Sequence, residues 1–152
     1  MREILFRGKR VDNGEWISGS ILSFDDGGKV ILPSTAKVFK EHGTTTICCN
    51  ECYDVYPETV GQYTGLTDKN GVKIFEGDIV KEYKTKDKVK GVVKFGEYQS
   101  GINKYADDLG FYVEWTTENF LIQELGYWCR KNMLEVIGNV HDNHELLEGS
   151  NK

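Results

Sequence analysis

The sequence predicts a mainly β chain, either all-β or β-rich α+β, and three observations carry that expectation. Seventeen glycines stand against two prolines in 152 residues, so turns are frequent. Glycine-containing turn signals separate short apolar runs at Asp12-Asn13-Gly14, Asp26-Gly27-Gly28 and Asn70-Gly71. After Gly71, apolar and polar residues alternate with the period of two that a half-buried strand requires.

The elements follow in order. Residues 4–11 and 16–22 flank Asn13-Gly14, a pair that tolerates positive φ and so predicts a hairpin. Val30-Ile-Leu32 continues the pattern after the next turn, which opens the chain with three or four antiparallel strands. Residues 33–57 are rich in β-branched and aromatic side chains, which favours strand or ordered loop over helix. A strand is expected over 59–66, then a turn at Asp68-Lys-Asn-Gly71.

Further strands are expected over 78–84, 89–98, 110–116 and 134–140, with a polar loop over 99–109. The expected interior is Val93, Phe95, Val113, Trp115 and Val136. Residues 117–130 read as a short helix or turn capped at Thr117, then strand or coil. Asn143 is expected to cap a last helical turn that Gly149 ends. Two parts result: residues 1–67 as N-terminal antiparallel hairpins, and 68–152 as a small β-barrel of the Src-homology kind. Closure would remove the unpaired edges of such short strands.

Composition narrows the function. There is no run of about 18 apolar residues, so no helical membrane span is expected. The N-terminus lacks the pattern of a signal peptide, and a cytoplasmic location is expected. Formal net charge is −5, which disfavours strong non-specific DNA binding. Six lysines between Lys81 and Lys94, against Glu82 and Asp87, make that stretch +4 and leave −9 for the remainder. No phosphate loop, dinucleotide fingerprint or nucleophile elbow occurs.

Several segments in order resemble one family. They are Phe6-Arg7 and Trp16, Thr59-Val-Gly-Gln-Tyr-Thr-Gly-Leu66, Asp68 with Asn70-Gly71, Ile74-Phe-Glu-Gly-Asp-Ile-Val80, and Glu135-Val-Ile-Gly-Asn-Val140 with Asn143 and Glu145-Leu146. Their order and spacing resemble the YopX family. The resemblance implies a β-rich phage or prophage protein with no catalytic residues to carry over. The chain departs from the pattern at His144, where the family commonly has proline, and in the cysteine cluster at 48–52.

Four constellations offer chemistry. Cys49-x2-Cys52, with Cys48 beside it, has the spacing of half a zinc site, and Cys129 and the three histidines are the only further soft ligands. No second CxxC pair exists, so reduced thiols without a metal or disulfide are expected. His141, Asp142 and His144 could polarise a metal-bound water only if a turn converged them. Glu76 and Asp78 flank Gly77, where Asp78 is expected to accept backbone N–H bonds in a turn. Lys84, Lys86, Lys88 and Lys90 could meet phosphates, with Tyr83 and Tyr98 placed to stack bases.

The function expected from these residues is a non-catalytic binding module for a protein partner, with no cofactor. Nucleic-acid binding through the lysines is the alternative, and metal-assisted hydrolysis the second. Self-association through edge strands stays open.

Overall fold

The computed structural model describes residues 3–47, 51–84, 89–101, 107–117 and 120–148. The chain divides into two units, Met1–Tyr63 and Thr64–Lys152, and antiparallel strands dominate both. The mainly β expectation holds.

In the first unit, β1 (Phe6–Lys9) pairs antiparallel with β2 (Trp16–Ser23), and β2 with β3 (Lys29–Leu32). The sheet there runs β6-β3-β2-β1-β7, with β6 (Tyr53–Val55) at its edge and β7 (Gly61–Thr67) continuing past Tyr63. Ile31 and Val55 are buried, and a Cβ on Gly8 would stand 2.9 Å from Val55 Cβ, so strand contact there requires glycine. The first hairpin exists, but its turn spans more than Asn13-Gly14. The Gly14 N–H donates to the Arg10 carbonyl, and only Gly14 of the pair takes positive φ.

The two-residue turn lies elsewhere. Strands β4 (Val38–Glu41) and β5 (Thr44–Ile47) are joined by His42-Gly43, both at positive φ (48° and 80°). That geometry is the type I′ turn that matches strand twist. A histidine in place of asparagine hid it from the sequence.

In the second unit, β7 lies beside β8 (Lys73–Phe75). A four-stranded antiparallel sheet then runs β11-β10-β9-β12. Its members are β9 (Asp78–Glu82), β10 (Lys90–Gln99), β11 (Asp107–Trp115) and β12 (Leu134–Asn139). Among the described residues its edge strands, β11 and β12, do not pair with each other, so the ladder itself is open. Ile74, Val80, Val93, Val113, Trp115, Leu125, Trp128 and Leu134 form the buried core.

Helix α1 (Leu125–Arg130) falls within the ambiguous stretch, later than Thr117. Leu125 and Trp128 face the core, whereas Leu121 is exposed. The packing of those two apolar residues outweighs the cost of about 1 kcal/mol for Gly126 inside a helix. Asn132, at φ 55°, stops the helix, and the Met133 N–H returns to the Trp128 carbonyl. The last turn, α2, is Glu145–Glu148. Asn143 does not cap it through its side chain; its Oδ1 accepts the Asn139 N–H at 3.3 Å instead. Gly149 lies outside the described residues.

One member of the expected interior is corrected. Phe95 is 54% exposed, whereas Val136 is half-buried and packs against the core. Phe95 has the right strand face, but it lies where the hairpin has passed the last core residue. Alternation predicts the face of a side chain and not whether anything covers that face.

Candidate functional site

Strands β10 and β11 form the longest ladder, paired from Gly91↔Trp115 to Gln99↔Asp107. Its near half is core: Val93 and Val113 are fully buried, and a Cβ on Gly91 would stand 2.5 Å from Val113 Cγ1. The same face continues outward through Phe95, Phe111 and Leu109. Phe95 and Phe111 meet edge to face at 5.0 Å, and Leu109 is 70% exposed. The ribbon therefore extends an apolar strip beyond the core.

The opposite face is polar and aromatic. Tyr98 and Tyr112 stack with ring centroids 5.0 Å apart, and the cross-strand pair between them is Gly96↔Gly110. With no side chains at that pair, the rings can lean together across it. Beside them lies a cleft of about 480 Å³, lined by Tyr98, Ser100, Asp108, Gln123, Glu124 and Arg130, with Leu109 and Tyr127. Its far wall is positioned by an isolated bridge between Tyr112 and Glu124 and by α1, anchored through Leu125 and Trp128.

The electrostatics of the cleft are mixed with an acidic excess. Arg130 pairs with Glu124, both with exposed side chains. Asp108 is half-buried and has no ion-pair partner among the described residues. Burial pushes the Tyr98 hydroxyl above its ordinary pKa, and the carboxylates of Asp108 and Glu124 push it further. Gln123 is 5% exposed, and its Nε2 has no hydrogen-bond partner among the described residues.

The lysine stretch is largely engaged. Lys84 Nζ donates to the Lys131 carbonyl at 2.6 Å, and Lys90 Nζ to the Leu146 carbonyl at 2.9 Å. Lys94 pairs with Glu114 at 2.5 Å. Lys86 and Lys88 lie outside the described residues. Tyr83 carries Lys69 over its ring at 4.5 Å.

The metal candidates separate. Cys48 and Cys49 lie outside the described residues. Cys52 belongs to the first unit and Cys129 to the second, and neither forms a disulfide among the described residues. His141 and Asp142 are exposed, their N–H groups both donating to Asn139 Oδ1 at 3.0 Å. His144 Nδ1 faces Glu148 at 3.3 Å. Among the described residues, no three His, Cys, Asp or Glu side chains gather as a cation site. No helix among those residues is long and apolar enough to cross a membrane.

Cys129 is protected by its surroundings. Burial, and then the nearby Asp68 carboxylate, push its thiol up to about 11, with Arg130 opposing. The folded thiol thus keeps its proton at pH 8 to 9, where an unfolded one begins to lose it. Alkylation at pH 8.5 is expected to be slow at Cys129 in the folded chain and fast in urea, as peptide mapping would read. Equal rates would refute this environment.

The model of the YopX protein family matches residues 5–148. The chain belongs to the YopX family. A crystal structure of protein EF1440 from Enterococcus faecalis is similar to it, with 26% identity and a TM-score of 0.58. The match covers 97% of this chain and 99% of that one. Curated proteins offer no match at this level.

The segments that resembled the YopX family have structural work in this chain. In Ile74–Val80, Asp78 is 1% exposed and its Oδ2 accepts the Phe75 N–H at 2.7 Å, which closes a turn at Gly77 with φ 82°. In Glu135–Val140, Gly138 sits at a register shift of β12, and a Cβ there would stand 2.5 Å from Asn143 Oδ1. Glycine and asparagine thus come as a pair. Asp68 accepts the N–H groups of Asn70, Val72 and Val136. These YopX positions explain the fold and leave the cleft to other residues. Of the cleft residues, sequence reasoning singled out only Tyr98. The signal available was the tyrosine at period two beyond the core strand; the register placing Asp108 opposite it was not legible.

Proposed function

We propose that this YopX-family chain is a non-catalytic phage or prophage accessory protein that acts in the cytoplasm by holding a protein partner. The observation that carries the reading is the β10–β11 ribbon, which continues its apolar face through Phe95 and Leu109 past the core. Exposed apolar strips of this kind mark binding surfaces. The strip adjoins strand β11, whose outer side carries only the Tyr112–Glu124 bridge among the described residues. Such an edge accepts an added strand, with backbone hydrogen bonds supplying affinity and side-chain pockets supplying selection.

Covering Phe95 and Leu109 contributes about 1–2 kcal/mol each, given their present exposure. A Phe95→Ser, Leu109→Ser double variant is therefore expected to weaken capture by about thirtyfold or more. The test is affinity capture from cell lysate with the original chain and the double variant at matched thermal melting. Proteins held by the first and lost by the second support the reading; the same set held by both overturns it.

Nucleic-acid contact through Lys84, Lys86, Lys88 and Lys90 draws less support. Lys84 and Lys90 already spend their ammonium groups on carbonyls, and the other two lie outside the described residues. Release of those bonds would offset part of any phosphate gain.

A further inference from the structure

We propose that the cleft beside β11 receives the Lys or Arg side chain of an extended segment laid along that strand's open edge. The inference rests on the partner-binding reading above and specifies what the partner presents. Three observations carry it.

The first is charge. Asp108 lines the cleft without an ion-pair partner among the described residues, and Glu124 lines it from the opposite wall. Asp107 and Glu97 lie on the ribbon's other face, with the apolar strip, and do not line the cleft. Arg130 offsets only part of this excess, because its pair with Glu124 lies at the exposed rim. A cationic side chain would meet Asp108 in partial burial, where a charge pair is screened less than at the surface. An acidic side chain would be repelled there, so the cleft selects by charge sign as well as by fit.

The second is the donor on the wall. Gln123 is 5% exposed, and its Nε2 has no acceptor among the described residues. Buried donors of this kind are ordinarily paired. A lysine or arginine side chain offers no acceptor, but the backbone carbonyl of the segment bearing it does. A carbonyl seated in the cleft would supply the acceptor that Nε2 lacks. Carboxylate and carboxamide therefore ask for the two halves of one ligand, a basic residue within a peptide.

The third is the geometry of the edge. The bridge from Tyr112 to Glu124 occupies the outer side of β11 at one end of the cleft. Asp108 and Leu109 line the cleft beyond it, and no further bridge to β11 is formed on that side among the described residues. An extended segment can continue the pairing there, with alternate side chains falling on the apolar strip and in the cleft. Nucleic acid does not fit the same charges, since its phosphates would meet Asp108 and Glu124.

The test is selection of random peptides displayed against the whole immobilised chain, followed by titration of the recovered peptides. Recovered sequences are expected to carry a lysine or arginine flanked by apolar residues at alternate positions. Changing that residue to glutamine should weaken binding about tenfold, and so should Asp108→Asn in the protein, with a shallower salt dependence. Gln123→Leu, which keeps the volume and the charge, should weaken binding without altering the salt dependence. Recovery of acidic or uncharged peptides, or indifference to Asp108→Asn, overturns the inference. If such peptides are recovered and the Phe95→Ser, Leu109→Ser variant loses them, the cleft assignment falls while the partner-binding reading stands. Recovery of no peptide removes the cleft assignment, and the lysate capture then decides the broader reading.

Discussion

Asp68→Ala is expected to cost about 3–5 kcal/mol of folding stability, from the loss of three bonds to a charged acceptor and the exposure of their donors. Asp68 is 7% exposed. Its Oδ1 accepts the N–H groups of Asn70 at 2.8 Å and Val72 at 2.9 Å, and its Oδ2 accepts that of Val136 at 3.0 Å. One side chain thus shapes the turn before β8 and ties it to β12, sixty-eight residues on. Asn70 and Val72 are exposed, so water can recover part of the loss at the turn. Val136 is half-buried, so less is recovered there.

Asp68→Asn keeps one acceptor oxygen and turns an NH2 toward the other donors. It is expected to cost about half as much. Urea unfolding of both variants measures the difference. The same Asn variant removes a negative charge beside Cys129, so the Cys129 thiol should titrate lower than about 11. A loss below about 1 kcal/mol for the alanine variant would show that the three N–H groups find other partners.

Trp128→Ala is expected to cost about 3–5 kcal/mol, the range for deleting a buried large aromatic. Trp128 is 4% exposed and meets three rings: Trp115 at 5.2 Å, Phe120 at 5.6 Å and Tyr127 at 5.2 Å. These contacts hold α1 on the sheet and, with it, the Gln123–Arg130 wall of the cleft. The variant should therefore lower stability and weaken binding in the cleft together. Trp128→Phe separates the two effects. The Trp128 indole N–H has no acceptor among the described residues, so phenylalanine sacrifices volume and no hydrogen bond seen there, at about 1–2 kcal/mol. Chemical denaturation gives the stabilities, and Trp115 fluorescence, read against a Trp16→Phe background, reports the repacking. An alanine variant as stable as the phenylalanine one would show that the ring cluster does not anchor the helix.

Local rules made the strands legible. Val93, Val113 and Trp115 are buried as their alternation required, and Asp78 accepts a turn N–H as a carboxylate one residue past glycine should. The same rules failed where partner and position decide. Phe95 alternates correctly but lies past the core. Thr117 has the chemistry of a cap, yet the helix begins at Leu125, where two apolar residues meet the core. His42-Gly43 adopts the tight turn that the sequence predicts at Asn13-Gly14, because the pairing of β4 with β5 leaves only two residues to reverse the chain.

The amino-acid order alone determined the β class, most strand positions and the Asp78 turn, which depend on neighbours within a few residues, and the family, which shows in the order and spacing of its segments. Only tertiary structure decided that Asp68 reaches Val136, that Asn143 needs Gly138 bare, and that Tyr98, Asp108, Gln123 and Arg130 line one cleft. Those four are separated along the chain and meet only through the β10–β11 register and the docking of α1. Such contacts come from long-range pairing, and a periodic pattern encodes which way a side chain points without encoding what it meets.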